Sequence, residues 1–275
     1  MGLTFNYEPY VRYVAKSTYF IDATVVAMDC RMIYVISGEG SFESGEQTYP
    51  LRGGTLLYYP HGIPYRIRSS NGASLLFYTV NFDFTSEFKH ISTLTPQVWQ
   101  SGQDYELICI PKEEIKSVFG KILCFSNAVW AESFIDSIYK ETLARKDGYS
   151  ELQSSMLKAL LISIYRSSKA ETESAVIRKI KQLVKNNPKS KNKDIAKLMN
   201  YHPFYVNDLF RNSEGITLHQ YIVQVRLAMA YEMIASSDSS LNEIAELCGF
   251  SSQSHLSNAF RTAYGITPSQ LRKQV

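Results

Sequence analysis

The sequence predicts an α+β protein, in which an N-terminal antiparallel β-barrel with following helices precedes an all-α C-terminal domain. Between about residues 5 and 110, short runs rich in Tyr, Val, Ile and Phe alternate with turn-forming residues. Beyond Pro111 the period of the apolar residues changes from two to about 3.6. A length of 275 residues exceeds the usual size of one compact unit, so two domains are expected.

The barrel prediction depends most on the segment from Met32 to Phe82. Its hydrophobic runs are separated by clusters of residues that set turns or tolerate positive φ, namely Ser37–Gly40, Ser44–Gly45, Arg52–Gly54, Pro60–Gly62 and Ser69–Gly72. Many short strands at even spacing are typical of an antiparallel barrel or sandwich. Alternation along the last strand puts four side chains on one face, toward the lumen: Leu75, Phe77, Thr79 and Asn81.

At least two helices are expected after the strands. One apolar face comprises Ile115, Val118, Phe119, Ile122 and Leu123, and a later one runs from Leu152 to Ile164. The small and polar stretch from Ser167 to Ser174 then suggests a linker. We therefore expect a first domain of strands and following helices at 1–167, a linker at 168–175 and a helical domain at 176–275.

Charge is distributed unevenly between these regions. The net charge of +3 combines 16 Lys+Arg against 19 Asp+Glu in residues 1–175 with 13 against 7 in residues 176–275. No acidic residue interrupts the basic series Arg178, Lys179, Lys181, Lys185, Lys189, Lys191 and Lys193. Such an imbalance at one end indicates contact with a polyanion, although a solvated helix face would look the same.

The C-terminal region contains an internal repeat. Asp194-Ile195-Ala196 recurs 49 residues later as Glu243-Ile244-Ala245. Phe210-Arg211 with Gly215-Ile216-Thr217 recurs 50 residues later as Phe260-Arg261 with Gly265-Ile266-Thr267. The one-residue difference falls between the two blocks, where a turn is expected.

Each copy has the pattern of two helices joined by a short turn. In the second copy Gly249 suits the end of one helix and Ser252 the cap of the next. In the first copy Pro203 suits a first helical turn. The segment from Thr217 to about Ser236 predicts a connecting helix of roughly 20 residues, about 30 Å long. Two helices joined by a short turn are the geometry of a helix-turn-helix unit. The outward helices of two such units, held apart by this distance, suit successive major grooves of DNA.

The last hundred residues resemble the AraC/XylS family of bacterial transcription regulators. The resemblance is carried by Ile244-Ala245, Gly249-Phe250, Ser252, Ser254, Leu256, Phe260-Arg261, Gly265, Thr267-Pro268 and Leu271-Arg272. Leu271 departs from the family pattern, which usually has an aromatic residue there. More weakly, residues 33–84 resemble the cupin-type sensor barrel of sugar-responsive members, and Gly148–Leu152 resembles the start of their dimerisation helix. The resemblance implies a dimeric regulator that binds double-stranded DNA and works with RNA polymerase.

The expected contacts with DNA lie on the second helix of each pair. As base readers we predict Phe204, Asn207 and Asp208 in the first pair and Gln253, Ser254, Ser257 and Asn258 in the second. Tyr205 and Arg211 also face outward, and Ser252, Arg261 and Thr267 are assigned to the phosphate backbone. Asp208, being acidic, suits a cytosine amine better than a phosphate.

The expected effector of the barrel is a small polar molecule such as a sugar. Aromatic faces pack on the apolar side of a sugar ring, and 19 Tyr against 14 Phe supply polar-tipped aromatics. Phe77 and Thr79 are the wall candidates, with Tyr58 and Tyr65 behind them. The first alternative is the same DNA-binding regulator with a barrel filled by its own side chains, controlled by a protein partner instead of a small molecule. The least favoured alternative is a metal-dependent cupin enzyme.

Catalysis and cofactors are not expected. Only His61 of the five histidines lies in the strand region, and no two histidines stand two apart as a metal site on a strand needs. Gly38-Glu39-Gly40 lacks the third glycine and the helix of a phosphate loop. Cys30, Cys109, Cys124 and Cys248 are scattered, which suits a reducing cytoplasm, and no apolar stretch suits a membrane span.

Overall fold

The computed structural model describes residues 8–70, 74–91, 95–103, 105 and 113–274. The chain divides into two compact units, Met1–Ser168 and Lys169–Val275. Cys109, Asn71 and Gly72 lie outside the described residues. Within the described residues, no helix has the length and apolar character that a bilayer-spanning helix needs.

The N-terminal unit contains two antiparallel sheets. Their strands are β1 Tyr10–Ser17, β2 Val25–Val26, β3 Cys30–Ser37, β4 Glu39–Ser44, β5 Gln47–Arg52, β6 Leu56–Tyr59, β7 Pro64–Ser69, β8 Leu76–Asp83, β9 Gln97–Val98 and β10 Leu123–Phe125. One sheet has the order β1-β8-β3-β6-β10 and the other β5-β4-β7-β2-β9. The expected antiparallel β architecture is confirmed, although the strand pairing among the described residues does not close it into one continuous barrel.

Alternation along the strands builds two separate cores in this unit. In β3, Ile33 and Val35 face the space between the sheets, whereas Met32 and Tyr34 face the helices. In β8, Phe77 points between the sheets, on the side predicted for it. A strand that is buried on both faces has a nearly continuous apolar sequence. This explains why β3, Cys30–Ser37, contains few polar residues.

In the described part of the chain, three helices follow β9, namely α1 Glu113–Phe119, α2 Val129–Ala144 and α3 Tyr149–Asn186, and β10 lies between α1 and α2. The prediction of a helical face that includes Ile122 and Leu123 is wrong, because the helix ends at Phe119 and Leu123 begins β10, which pairs with β6. The predicted linker at 168–175 lies inside α3. It contains no Gly or Pro, and its Ala, Glu and Lys are good helix formers, so the helix continues through it.

The C-terminal unit is helical and has two small cores. Besides the second half of α3, its helices are α4 Asn192–Leu198, α5 Pro203–Glu214, α6 Leu218–Ser236, α7 Leu241–Leu247, α8 Gln253–Tyr264 and α9 Pro268–Gln274. Leu218 and Ile222 at the start of α6 belong to the core of α4 and α5, whereas Ala230 and Ile234 near its end belong to the core of α7 and α8. The 19-residue α6, which agrees with the predicted connecting helix, therefore joins both helix pairs.

Candidate nucleic-acid interface and ligand cavity

The two helix pairs of the C-terminal unit share the same turn. The second residue after each first helix has positive φ, 58° at Asn200 and 81° at Gly249. The next amide then closes the turn, since Tyr201 N donates to Ala196 O at 3.0 Å and Phe250 N donates to Ala245 O at 2.8 Å. Asn and Gly are the residues that adopt this left-handed conformation most readily, so the chain reverses direction in the same way twice.

The starts of the first helices are also matched. Lys191 N donates to Asp194 Oδ2 at 3.0 Å, and Ser240 N donates to Glu243 Oε2 at 2.7 Å. Hydrogen bonds from the backbone N–H and side chain of Ser240 lower the pKa of the Glu243 carboxyl. Each acidic residue thus satisfies an amide that the helix itself leaves without a partner.

The second helices begin as the sequence predicted. Pro203 occupies the first turn of α5. The preceding residue, His202, caps the helix, because its ring nitrogen Nδ1 accepts a hydrogen bond from Phe204 N. The Ser252 hydroxyl caps α8 by accepting from His255 N at 3.1 Å. The turn of the second pair is one residue longer, as the change of repeat spacing from 49 to 50 requires.

Both second helices bury one face and expose the opposite one. Val206, Leu209 and Phe210 of α5 are buried, as are Leu256 and Phe260 of α8. The opposite stripes consist of side chains spaced by four and three positions, which puts them on one helix face. These outward stripes are the exposed residues Phe204, Asp208 and Arg211 on α5 and Ser254, Asn258 and Arg261 on α8.

Some predicted DNA contacts have other partners in the folded chain. Asn207 is half-buried, and its Oδ1 accepts from Leu218 N at 3.3 Å, so this carboxamide holds the start of α6. Ser257, at the matched position of α8, is half-buried too. Thr267 Oγ1 accepts from Gln270 N at 3.2 Å and caps α9. The base-reader assignment of Asn207 is weakened, because its acceptor already bonds within the protein.

The other predicted contacts are exposed. The Tyr205 ring packs against that of Tyr201, with centroids 5.2 Å apart, and Gln253 lies at the exposed start of α8. All but one of the basic residues from 178 to 193 are exposed. The exception is Lys181, whose ammonium is 2.6 Å from Glu214 Oε2. Sequence reasoning did not predict that Arg226 binds the carbonyls of Pro188, Lys189 and Ser190 and so fixes the loop before α4.

The N-terminal unit contains a cavity of about 210 Å³ between its sheets. Both predicted wall residues, Phe77 and Thr79, line it, and so does Tyr65, which was predicted to lie behind them. The prediction that Tyr58 lies behind these walls as a ligand-binding residue is wrong, because its ring belongs to the core beneath the helices and its hydroxyl donates to Phe119 O at 2.7 Å. Its neighbour Tyr59, on the other face of β6, lines the cavity instead.

Arg31 is the cavity residue that sequence reasoning missed. It is buried on the cavity wall, and its Nε donates to Oδ1 of the fully buried Asp29 at 2.6 Å. Burial raises the pKa of the Asp29 carboxyl, and the guanidinium of Arg31 opposes that shift. Burial also raises the pKa of Tyr65, whose hydroxyl bonds with Arg31 and Tyr59. The sequence did contain a signal for this residue, because Arg31 is the one basic residue in the otherwise largely apolar stretch that forms β3.

The cavity therefore offers both kinds of surface that a small polar ligand needs. Arg31, Tyr59, Tyr65 and Thr79 supply hydrogen-bonding groups, while Ile33, Ile67 and Phe77 supply apolar and aromatic walls. His61, the histidine that the sequence analysis placed in the strand region, lies half-buried in the turn after β6, and burial lowers the pKa of its imidazole. In the part of the chain that the structure describes, no three His, Cys, Asp or Glu residues form a group that could hold a metal ion.

Two family models match the chain. The AraC-like ligand binding domain matches residues 29–100, and a helix-turn-helix domain matches residues 195–274, so that together they span more than half of the chain. The first segment contains most of the cavity residues, and the second contains both outward stripes.

Individual relatives cover less of the chain. The probable transcriptional regulator LumQ of Photobacterium leiognathi is 48% identical over 62 residues, which are 22% of this chain and 25% of that protein. The Msm operon regulatory protein of Streptococcus mutans is 28% identical over 127 residues, 46% of this chain and 45% of that protein. The chain thus spans less than half the length of these curated relatives. A solved C-terminal domain of AraT, a response regulator from Geobacillus stearothermophilus, is 25% identical, with 36% of this chain and 85% of that one covered at a TM-score of 0.35.

Proposed function

Because the chain belongs to the AraC family, we propose that it is a transcription regulator that binds specific sequences of double-stranded DNA. The observation that carries this proposal is the pair of matched outward stripes, Phe204/Asp208/Arg211 and Ser254/Asn258/Arg261, on second helices of the same geometry. A second helix of this kind enters the major groove, where outward side chains reach base edges.

The proposed binding combines two kinds of contact. Exposed Lys and Arg side chains neutralise phosphates and supply affinity that depends on salt but little on sequence. Arg211 and Arg261 occupy the same place in both pairs, as expected of backbone anchors, and the Ser252 and Thr267 hydroxyls lie at helix starts where a phosphate is favoured. Recognition of the DNA sequence then depends on the outward residues in which the two helix pairs differ.

The connecting helix sets the proposed spacing of the two contacts. With 19 residues, α6 is roughly 28 Å long from its rise per residue. Because each half of α6 packs in the core of one helix pair, the pairs are held apart by a rigid element. That length suits two readings of the major groove about one turn of DNA apart.

The test is selection of binding sites from random duplex DNA by the full chain, followed by titration at several salt concentrations. We expect one enriched site and an affinity that falls steeply with salt. Arg211→Ala and Arg261→Ala should each reduce the salt slope by about one, whereas Lys146→Ala, an exposed lysine of the N-terminal unit, should not change it. A folded chain that selects no sequence and shows no salt-dependent binding would overturn the proposal.

For the N-terminal unit we propose a small polar effector such as a sugar, bound in the cavity between the sheets. Support comes from the mixture of Arg31, tyrosine and threonine groups with aromatic walls. A thermal-shift screen with monosaccharides is the direct test, because a bound ligand raises the melting temperature with the logarithm of its excess. Thr79→Val should weaken the response, and Thr48→Val, at an exposed position of β5, should not.

A protein partner is the second candidate for control of the regulator. It would act on the N-terminal unit without filling the cavity, so a screen without carbohydrate hits would favour it. A metal-dependent activity stays the least favoured alternative.

The remaining assignments also stay proposals. They are sensing and dimerisation by residues 1–167, a connection at 168–175, DNA binding by 176–275, cooperation with RNA polymerase and a cytoplasmic location, where bacterial DNA lies. For the dimer we propose exposed apolar residues of α2 and α3, namely Leu143, Tyr149 and Leu152.

A further inference from the structure

The outward stripes of the two helix pairs differ in chemistry at their first position. Phe204 of α5 is 77% exposed, whereas the residue 50 positions later, at the same place on α8, is Ser254. Single exposed apolar residues are common on protein surfaces and need no explanation by themselves. Here, however, a large aromatic ring stands at the N-terminal end of the helix face that the proposed function turns toward DNA.

The fold of the first helix pair does not require this ring. Val206, Leu209 and Phe210 fill the core side of α5, and Phe204 lies on the opposite side of the helix. The helix start depends on Phe204 only through its backbone N–H, which His202 accepts. Every residue except proline has that backbone N–H, so folding leaves the choice of phenylalanine unexplained.

Apolar exposure at the ends of the two first helices is symmetrical. Leu198 at the end of α4 and Leu247 at the end of α7 are both exposed and are matched in the repeat. Phe204, like the exposed Tyr205, has no apolar counterpart in the second pair, where Ser254 and His255 occupy the matched positions. It lies on the helix face that also presents Asp208 and Arg211. A difference confined to the reading face is expected if the two pairs read different bases.

We infer that Phe204 reads the C5-methyl group of thymine in the major groove, so that the first helix pair recognises its half-site partly through an apolar contact. The thymine methyl is the apolar group that base edges present in the major groove, and phenylalanine is among the residues that contact it. Ser254 and Asn258 give the second pair a reading face that works by hydrogen bonds instead. The inference rests on the proposed function.

The neighbouring Asp208 fixes where such a thymine should lie. Four residues along a helix rise about 6 Å, which is roughly two base-pair steps of 3.4 Å. An aspartate on a reading face accepts from a cytosine amine. The first half-site should therefore contain a thymine and a cytosine on its contacted edge within about two steps of each other.

The experiment replaces thymine by deoxyuridine, one position at a time, in the site that the full chain selects from random DNA. This change removes only the methyl group. Burying one methyl-sized group is worth roughly fourfold in affinity. For the unchanged chain we expect an affinity loss of about that size when thymine is replaced at one or two positions of one half-site. We expect the variant Phe204→Ser to bind the thymine and uracil probes equally, because it lacks the ring that contacts the methyl group.

Leu198→Ser is the matched control, since it removes an exposed apolar side chain from the other helix of the same pair. It should keep the preference for thymine. Because both side chains are exposed, neither variant should lower the melting temperature, so a lost preference reports recognition and not misfolding.

Three results would overturn the inference. The unchanged chain could bind thymine and uracil probes equally at every position, or Phe204→Ser could keep the preference. Alternatively, Phe204→Ser could bind DNA normally and fail only in transcription, which would identify the ring as a contact for a protein. Absence of any selected DNA sequence is a different result, since it would overturn the proposed function as well.

Discussion

Matched residues of the two helix pairs differ in what they bond, and Asn207 and Ser257 give the clearest example. Asn207 Oδ1 accepts from Leu218 N, but the residue matched to Leu218 is Pro268, which has no N–H to donate. We expect Asn207→Ala to lower the free energy of unfolding by about 0.5–1.5 kcal/mol, the usual net value of one hydrogen bond.

Ser257→Ala is the control for that prediction, and it should change stability by no more than about 0.5 kcal/mol. Urea unfolding followed by circular dichroism measures both variants. Equal destabilisation would mean that the amide of Leu218 gains nothing from the carboxamide.

Two residues of α8 separate folding from recognition. Phe260 is fully buried, and its ring lies 4.6 Å from that of Tyr264 and 6.1 Å from that of Tyr231. Phe260→Ala should therefore cost about 3–5 kcal/mol of folding stability. Asn258 is exposed, so Asn258→Ala should leave the fold intact and relax sequence choice by about 1–3 kcal/mol. If both variants melted equally early, the outward face of α8 would be assigned wrongly.

At the scale of elements, α3 shows how an apolar stripe can mislead. The apolar face from Leu152 to Ile164 would suit a dimer interface as well as a core, yet Leu157, Leu160, Leu161 and Ile164 pack in the core beneath the sheet that contains β3 and β8. Any helix that covers a sheet needs such a stripe, so its presence did not separate core from partner surface. Only Leu152 of that face, at 44% exposure, is available to a second copy.

This distribution gives opposite expectations for two leucines of α3. Leu160→Ala should lower the free energy of unfolding by about 2–5 kcal/mol, because it leaves a cavity in the core. Leu152→Lys should leave stability nearly unchanged and shift the proposed dimer toward monomer, since a charge would enter the interface. Sedimentation at micromolar concentration measures the second effect, and an unchanged dimer would exclude this surface.

At the scale of the whole molecule, the two compact units predict that DNA binding can be separated from sensing. Both helix pairs, their two cores and the basic residues from 178 onward lie in residues 169–275. We expect this fragment to fold and to bind DNA with an affinity that falls steeply with salt. Circular dichroism and titration check the two properties separately. A folded fragment without salt-dependent binding would contradict the assignment.

The sequence by itself determined the features that depend on local periodicity and repetition. The strand-rich start and helical end, the two helix pairs, the helix start at Pro203, the cap at Ser252 and the turn at Gly249 all follow from residues close together in the chain. Each is set by side-chain spacing or by the conformational preference of one residue. The 50-residue repeat made the buried and outward faces of α5 and α8 readable from a single sequence.

The tertiary structure decided what depends on partners distant in the chain. Leu56 to Tyr59 are all buried, so periodicity could not say which tyrosine faces the cavity, and the pairing of β6 with β3 and β10 put Tyr59 there and Tyr58 under the helices. The buried pair of Arg31 and Asp29 became visible only through the packing of the two sheets. Asn207 likewise gained its partner because α6 begins beside α5. Local spacing fixes which side chains share a face, whereas only packing decides what that face meets.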